Sequence, residues 1–129
     1  MKTKIFVLAL FVGVLGIVIG NAWSQATAKQ SLELKAGTKV KTNLVCMVND
    51  SYMGKEQIPV EFEGKTYYGC CQGCVDAIQN KRSVRYAVDP ATEKEVDKAK
   101  AYIVLKKDGS SKVFYFESEE TYKQYLKQK

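Results

Sequence analysis

The chain has 129 residues, enough for one ordinary domain or two very small ones. It carries 20 basic and 14 acidic residues, no histidine, and a formal net charge of +6. Because the basic residues are scattered among acidic ones, the charge predicts a solvated surface and no nucleic-acid-binding face. The missing histidine removes the most common general base, so the composition does not favour a hydrolase.

An apolar segment follows a short basic start. Residues 5–20 carry no charged or polar side chain, and small residues then allow a signal-peptidase cut after Ser24 or after Ala26. This order predicts a signal peptide over residues 1–24. The apolar stretch is also nearly long enough to span a membrane, so an uncleaved N-terminal anchor helix is the alternative. Either way, we expect the remainder to be exported to the periplasm or another extracytoplasmic compartment.

A polar segment over residues 25–39 has little periodicity and predicts a linker to the folded part. Apolar and polar side chains alternate over residues 58–62, which predicts a half-buried strand with Ile58, Val60 and Phe62 on its inner face. A turn and a second short strand follow, rich in strand-forming residues. After the cysteines, the apolar spacing predicts a short helix.

The second half shows a similar pattern. The apolar run 101–105 predicts a buried strand, Asp108 and Gly109 predict a hairpin turn, and residues 113–116 predict the returning strand. Ser118 is a suitable N-cap for a closing helix.

The two halves therefore predict an α+β fold of two strand-strand-helix (ββα) units, over residues 40–84 and 85–129. The sequence predicts an internal repeat of about forty residues in which only the first copy kept its thiols. Chance similarity of two hairpin-helix units is the alternative. Residues 91–99 suit either a helix or an extended connection. The alignment places three residues of the second half at three cysteine positions: Glu117, Ser118 and Thr121 against Cys70, Cys71 and Cys74.

Three of the four cysteines are crowded: Cys70, Cys71 and Cys74 lie together, and only Cys46 is distant. Two disulfides would need one ring closed within the cluster, and so small a ring restricts the unfolded chain too little to stabilise the fold. Cys71 and Cys74 also have the spacing of a thioredoxin-type redox pair, with the first thiol at a helix start. That function would leave the other two cysteines unused.

Metal binding uses the cysteines together. A thiol at the end of a hairpin and one in the first helical turn point to one place, and Cys46 supplies a third from a separate segment. Thiolates without imidazole select soft ions. Zn(II) prefers four protein ligands, whereas Cu(I) accepts two or three sulfurs, so Cu(I) is favoured and Zn(II) is the alternative. Cys71 is a fourth ligand or a spare, and Met47 is a candidate thioether ligand or a core residue.

The first half resembles the YHS and TRASH families of small metal-handling domains. The resemblance covers about residues 43–80 and rests on three motifs: Val45-Cys46-Met47, the hairpin sequence Gly64-Lys65-Thr66-Tyr67-Tyr68, and Cys70-x3-Cys74. It implies a treble-clef-like thiol site with Cys46, Cys70 and Cys74 as metal ligands, while Cys71 lies outside the family pattern.

The second half is similar to NosL, a family of exported copper chaperones. This similarity rests on three short motifs: Asp89-Pro90, Val96-Asp97 and Ala101-Tyr102. Together the resemblances imply a role in heavy-metal trafficking or resistance, with copper favoured.

Two departures from these families affect the expected site. TRASH domains commonly open with two cysteines two residues apart, and Asn43 stands where we expect the first of them. YHS chains have a glycine between the cysteine and the methionine, whereas Cys46 and Met47 are adjacent. The loss of one thiol favours an open, three-sulfur site suited to a transferable ion.

The sequence thus predicts an exported, non-enzymatic metallochaperone that binds copper and passes it on by thiolate ligand exchange. Its partners would be a recipient metalloprotein or a metal efflux system, and it would contact the membrane only through an uncleaved N-terminal segment. The alternatives are a thiol-disulfide oxidoreductase using Cys71 and Cys74, and a structural zinc module.

Overall fold

The computed structural model describes residues 35–129, so the predicted signal or anchor over residues 1–24 lies outside the described part of the chain. Residues 35–129 contain eight short strands, paired as four antiparallel hairpins, and two α-helices. This confirms the predicted α+β class. Among these residues no helix has the length and apolar character needed to cross a bilayer.

The first half is ordered hairpin, hairpin, helix. Its elements are β1 (Val45–Cys46), β2 (Ser51–Tyr52), β3 (Ile58–Phe62), β4 (Lys65–Gly69) and α1 (Gln72–Asn80). The second hairpin and the helix were predicted, whereas the hairpin of β1 and β2 was not. The predicted inner face of β3 is only partly right: Val60 is buried, but Ile58 is 44% exposed. Ile58 pairs with Gly69 at the open end of the hairpin, where no side chain faces it across the pair.

The second half has the same order. Its elements are β5 (Tyr86–Val88), β6 (Glu95–Asp97), β7 (Tyr102–Leu105), β8 (Val113–Phe116) and α2 (Glu119–Lys127). The undecided segment 91–99 forms a turn followed by β6. Ser118 caps α2 as predicted: the Thr121 N–H donates to the Ser118 hydroxyl, and the Ser118 N–H donates to the Thr121 hydroxyl.

The loops of the two first hairpins match in length and conformation. We call residues 46–51 the Cys46 loop and residues 89–94 the Asp89 loop. The first and last residues of each are cross-strand partners: Cys46 is paired with Ser51, and the Asp89 N–H donates to the Lys94 carbonyl over 2.8 Å. The fifth residue of each loop has a left-handed φ, at 51° and 59°. The halves thus share one architecture, in which Asp89 takes the position of Cys46.

Two apolar clusters form the core. One packs against α1 and contains Met47, Val60, Tyr67 and Ile78. The other combines the first half with the second, and its buried members are Val40, Val45, Ile103, Leu105, Val113 and Tyr115. Backbone bridges from Lys39 to Val104 and from Ser51 to Lys112 join the halves further. The β1–β2 hairpin, which carries Cys46, is therefore held by contacts from both halves.

Candidate metal centre

The junction of β4 and α1 carries three of the four cysteines. Cys70 follows β4, Cys71 is the N-cap of α1, and Cys74 lies in the first helical turn. The helix start packs closely on the strand end, because a Cβ atom at Gly69 would lie only 2.8 Å from the Cys74 Cβ. Real Cβ atoms do not approach so closely, so glycine at position 69 permits this placement of Cys74.

Cys46 reaches the same place from β1. Its side chain is fully buried, and its Sγ lies 3.8 Å from the Cys74 Sγ. The Cys70 Sγ lies 3.6 Å from the same atom. All three sulfurs are within 4.8 Å of one another. The fold therefore brings together thiols that are 28 residues apart in the sequence, and these three lie close enough to bind one metal ion.

The spacing of the sulfurs fits a thiolate-bound ion. A Zn–S bond is about 2.3 Å long, so two sulfurs of a tetrahedral site lie about 3.8 Å apart, and those of a trigonal site about 4.0 Å. The 3.6 and 3.8 Å separations here need only small adjustments to either arrangement. The donor set of three thiols is soft, so the site suits a soft ion and the distances leave the choice between copper and zinc open.

The protein environment separates the acidities of the buried thiols. Burial opposes ionisation of Cys46, but hydrogen bonds from the backbone N–H of Asn49, from Cys70 and from the backbone N–H of Val48 together lower its pKa. For Cys74, burial raises the pKa to about 12, with further contributions from Cys71 and Cys70. The pKa of Cys46 is thus lowered and that of Cys74 raised, so Cys74 must release its proton to solvent before it binds an ion as a thiolate.

The two outer thiols differ in the same way. Hydrogen bonding to Cys46 raises the pKa of Cys70. The backbone N–H of Cys74, at the helix start, lowers the pKa of Cys71. The pKa is therefore lowered for Cys46 and Cys71 and raised for Cys70 and Cys74.

Cys71 lies at the edge of the site. Its side chain is exposed, and its Sγ is 3.4 Å from the Cys74 Sγ. It is outside the group of described residues whose donor atoms all lie within 4.8 Å of one another. Cys71 can therefore approach an ion only by moving, or can act on Cys74 alone. All four cysteines are present as free thiols.

Met47, the candidate thioether, packs in the core. Its side chain is fully buried in the cluster with Val60, Tyr67 and Ile78. Its backbone N–H donates to the Tyr68 carbonyl over 2.9 Å, which fixes the start of the Cys46 loop against β4. These contacts support the alternative that Met47 is a core residue, and its role as a thioether ligand stays a prediction.

An asparagine lies beside the cysteines, but it is not the one that the sequence singled out. Asn43, where the sequence suggested a missing thiol, lies in a short 3-10 turn, and its amide donates to the Glu56 carboxylate over 3.4 Å. Asn49 instead faces the cysteines, because its amide Nδ2 donates to the Cys70 Sγ over 3.5 Å. Sequence reasoning missed Asn49, although its position three residues beyond Cys46, in a Cys-x-x-Asn pattern, could have indicated it.

A buried lysine from the second half holds the Cys46 loop. Lys98 is only 3% exposed, and its ammonium donates to the Met47 carbonyl over 2.7 Å and to the Asp50 carboxylate over 2.5 Å. Lys112 adds a second contact, from its ammonium to the Asn49 carbonyl over 2.6 Å. Nothing in the sequence pattern singled out these two lysines from the other basic residues. They place positive charge beside the loop that carries a buried thiol.

In the Asp89 loop, a buried carboxylate occupies the position that the Cys46 thiol occupies in the first half. Asp89 is fully buried, and its two carboxylate oxygens accept the backbone N–H of Ala91 over 2.7 Å and of Glu117 over 2.8 Å. Burial opposes its ionisation, but these hydrogen bonds lower its pKa below the usual carboxyl range. Since Glu117 occupies the position of Cys70, a hydrogen-bonded carboxylate links the same two elements that the thiol cluster joins in the first half.

Neither the protein-family models, nor the curated proteins, nor the solved structures gave a match to this chain.

Proposed function

We propose that this protein is an exported, non-enzymatic carrier of a soft metal ion, with Cu(I) favoured, that passes its ion on by thiolate exchange. The observation that carries the proposal is the meeting of three sulfurs from two distant segments within 4.8 Å of one another. Three thiolates satisfy Cu(I), whereas zinc in a structural site takes four protein ligands. Cys46, Cys70 and Cys74 would bind the ion.

The order of transfer follows from exposure. Cys46 and Cys74 are buried, whereas Cys70 is half-buried and Cys71 is exposed. An acceptor thiol would approach from the Cys70 side, and Cys71 would replace a buried ligand during release. The acceptor would be a recipient metalloprotein or a metal efflux system, which fits a role in copper trafficking or heavy-metal resistance.

The family resemblances support the same proposal. The resemblance to YHS and TRASH domains implies a treble-clef-like thiol site. The proposal draws support from thiols that come from a hairpin loop, the end of a second hairpin and a helix start. NosL proteins are exported copper chaperones, so the similarity of the second half to them supports copper as the ion and export of the chain. Residues 1–24 would be a cleaved signal or the only membrane anchor, and residues 25–39 would tether the carrier outside the cytoplasm.

The proposal is tested by metal uptake in the full chain, purified with its thiols reduced and without oxygen. We expect about one Ag(I) or Cu(I) per chain, held against a competing chelator. Cys46→Ser removes one of the three sulfurs and should abolish tight uptake. Cys71→Ser is the matched control, because it removes an exposed thiol from outside the three-sulfur group, and it should keep the stoichiometry. Uptake that needs Cys71 and survives Cys46→Ser would contradict the proposal.

A thiol-disulfide oxidoreductase is the second candidate, favoured by the 3.4 Å separation of the Cys71 and Cys74 sulfurs and by the exposure of Cys71. Its attacking thiolate would be Cys71 and its resolving thiol Cys74. Insulin reduction that survives Cys46→Ser and is lost in Cys71→Ser would support this candidate. An ion whose removal unfolds the protein would favour a structural zinc module instead.

A further inference from the structure

Asn49 lies beside the three-sulfur site. It follows Cys46 with two residues between them, which is the spacing that paired ligands adopt in many zinc sites. Its amide nitrogen is 3.5 Å from the Cys70 sulfur. The fourth residue of the Cys46 loop is thus turned toward the ligands, but it carries no sulfur.

The position of Asn49 is fixed from three sides. Its carbonyl accepts hydrogen bonds from the Ser51 hydroxyl over 3.0 Å and from the Lys112 ammonium over 2.6 Å. Its backbone N–H is directed at the Cys46 sulfur, where it lowers the pKa of that thiol. These contacts fix the main chain at position 49, and the side chain lies at the exposed edge of the site with its amide nitrogen beside the Cys70 sulfur.

The chemistry of the amide decides what it can do there. A neutral amide N–H donates to a thiolate and does not ligate a metal, and the amide oxygen is a hard donor that soft ions avoid. Asn43 does not substitute for it, because its side chain is bonded to Glu56. Asn49 therefore occupies the side of the site from which a fourth ligand of the loop would come, without acting as that ligand.

We infer that Asn49 determines the ion selectivity of this site, keeping it three-coordinate and selective for a soft monovalent ion over Zn(II). This inference rests on the proposed function. A thiolate at position 49 would complete a four-sulfur site, which Zn(II) occupies as a closed tetrahedron. Asn49 supplies no such ligand, and its amide N–H donates to the Cys70 sulfur instead.

The test compares Zn(II) and Ag(I) affinities of the full chain in competition with chelators, under reducing and oxygen-free conditions. We expect Asn49→Cys to raise Zn(II) affinity by about 100-fold or more and to give Co(II) the absorption of a four-thiolate tetrahedral site. Asn43→Cys is the matched control, since it adds the same thiol three positions before Cys46, on a side chain directed at Glu56. It should leave both affinities within about threefold of the original.

A second variant keeps the test decisive. Asn49→Asp is nearly the same shape and adds an oxygen ligand, so it should raise Zn(II) affinity by about tenfold even if Asn49→Cys folds poorly. Unchanged Zn(II) affinity in folded Asn49→Cys and Asn49→Asp overturns the inference. Failure of the original chain to take up Ag(I) instead overturns the proposed function.

Discussion

Gly69→Ala is the most direct test that the fold, and not only the thiol content, makes the site. The added Cβ would lie 2.8 Å from the Cys74 Cβ and 3.3 Å from the Cys74 carbonyl carbon. Carbon atoms in good contact are about 3.5–4.0 Å apart, so Cys74 must retreat by about 0.7–1.2 Å. Because one of the crowded atoms is backbone, a rotation of the side chain cannot relieve the contact, and the helix start itself must move.

That displacement is large on the scale of a metal site. Ligand distances tolerate about 0.2 Å, so moving one of three sulfurs by several times that amount should weaken binding. We expect Gly69→Ala to lower Cu(I) or Ag(I) affinity by about 10–100-fold. The overpacked contact should also cost about 1–3 kcal/mol of unfolding free energy.

The assay is competition for Cu(I) with a chromophoric chelator, together with urea unfolding of the same samples. Gly73→Ala is the matched control, because its Cβ would meet only the Cys71 Sγ, at 4.0 Å. Its binding should be unchanged and its stability equal or higher by up to about 1 kcal/mol, since alanine favours a helix. Equal metal affinity in both variants and the original chain would falsify the claim that Gly69 positions Cys74.

Four further predictions follow from the site and its supports. Asp89→Asn turns an amide N–H toward a backbone N–H and should cost about 1–3 kcal/mol at neutral pH. The pKa of Asp89 is lowered in the fold. The stabilisation by its carboxylate is therefore present above the unfolded pKa of about 4 and is lost as the pH falls through the folded pKa. In that low pH range, the urea midpoints of the original chain and of Asp89→Asn should move closer together. Lys98→Met leaves the Met47 carbonyl unpaired and should cost about 1–3 kcal/mol, whereas the exposed Lys100→Met should stay within about 0.5 kcal/mol, both read from denaturant unfolding. Removing the ion with a soft chelator should leave the far-UV circular dichroism unchanged; loss of the signal would instead indicate structural zinc. Oxidised glutathione should oxidise Cys71 and Cys74 to a disulfide, with two molecules of reduced glutathione as the other product, and the ion should then be released. Release that persists in Cys71→Ser would exclude this route.

The sequence predicted the elements whose patterns are local. In the hairpin of β3 and β4, apolar and polar side chains alternate and strand-forming residues are common. The helix α2 is indicated by its Ser118 cap and by the acidic residues of its first turn. Both are decided by residues close together in the chain, so no tertiary information was needed.

The hairpins β1–β2 and β5–β6 escaped prediction for a physical reason. Their strands are two or three residues long, too short for a period of two to be visible. They persist because the rest of the fold holds them: Val45 packs in the cluster shared by both halves, and Lys98 binds the Cys46 loop. Support from residues about fifty positions away cannot be recognised in the local sequence of these strands.

The candidate site was predictable to the same extent. Crowded thiols and one distant cysteine indicated a shared metal site. The resemblance to YHS and TRASH domains implied Cys46, Cys70 and Cys74 as its ligands and left Cys71 as a fourth ligand or a spare. The position of Asn49 was not predictable with the same ease, since the direction of its side chain depends on the conformation of the Cys46 loop. The left-handed φ of 51° at Asp50, carried by a residue other than glycine, is invisible in the sequence.

The two loops show how the first half keeps its fold without a metal ion. In the second half, the Asp89 carboxylate joins the loop to the start of α2 through hydrogen bonds that the chain supplies itself. In the first half, the equivalent junction is made of thiols that an ion would link. That first loop is nevertheless held from outside by the ammonium groups of Lys98 and Lys112, which belong to the second half. The second half carries a hydrogen-bonded carboxylate where the first carries thiols, and its lysines hold the first loop without a metal ion. The carrier proposed above needs such an arrangement, because its sulfurs must stay in place between one ion and the next.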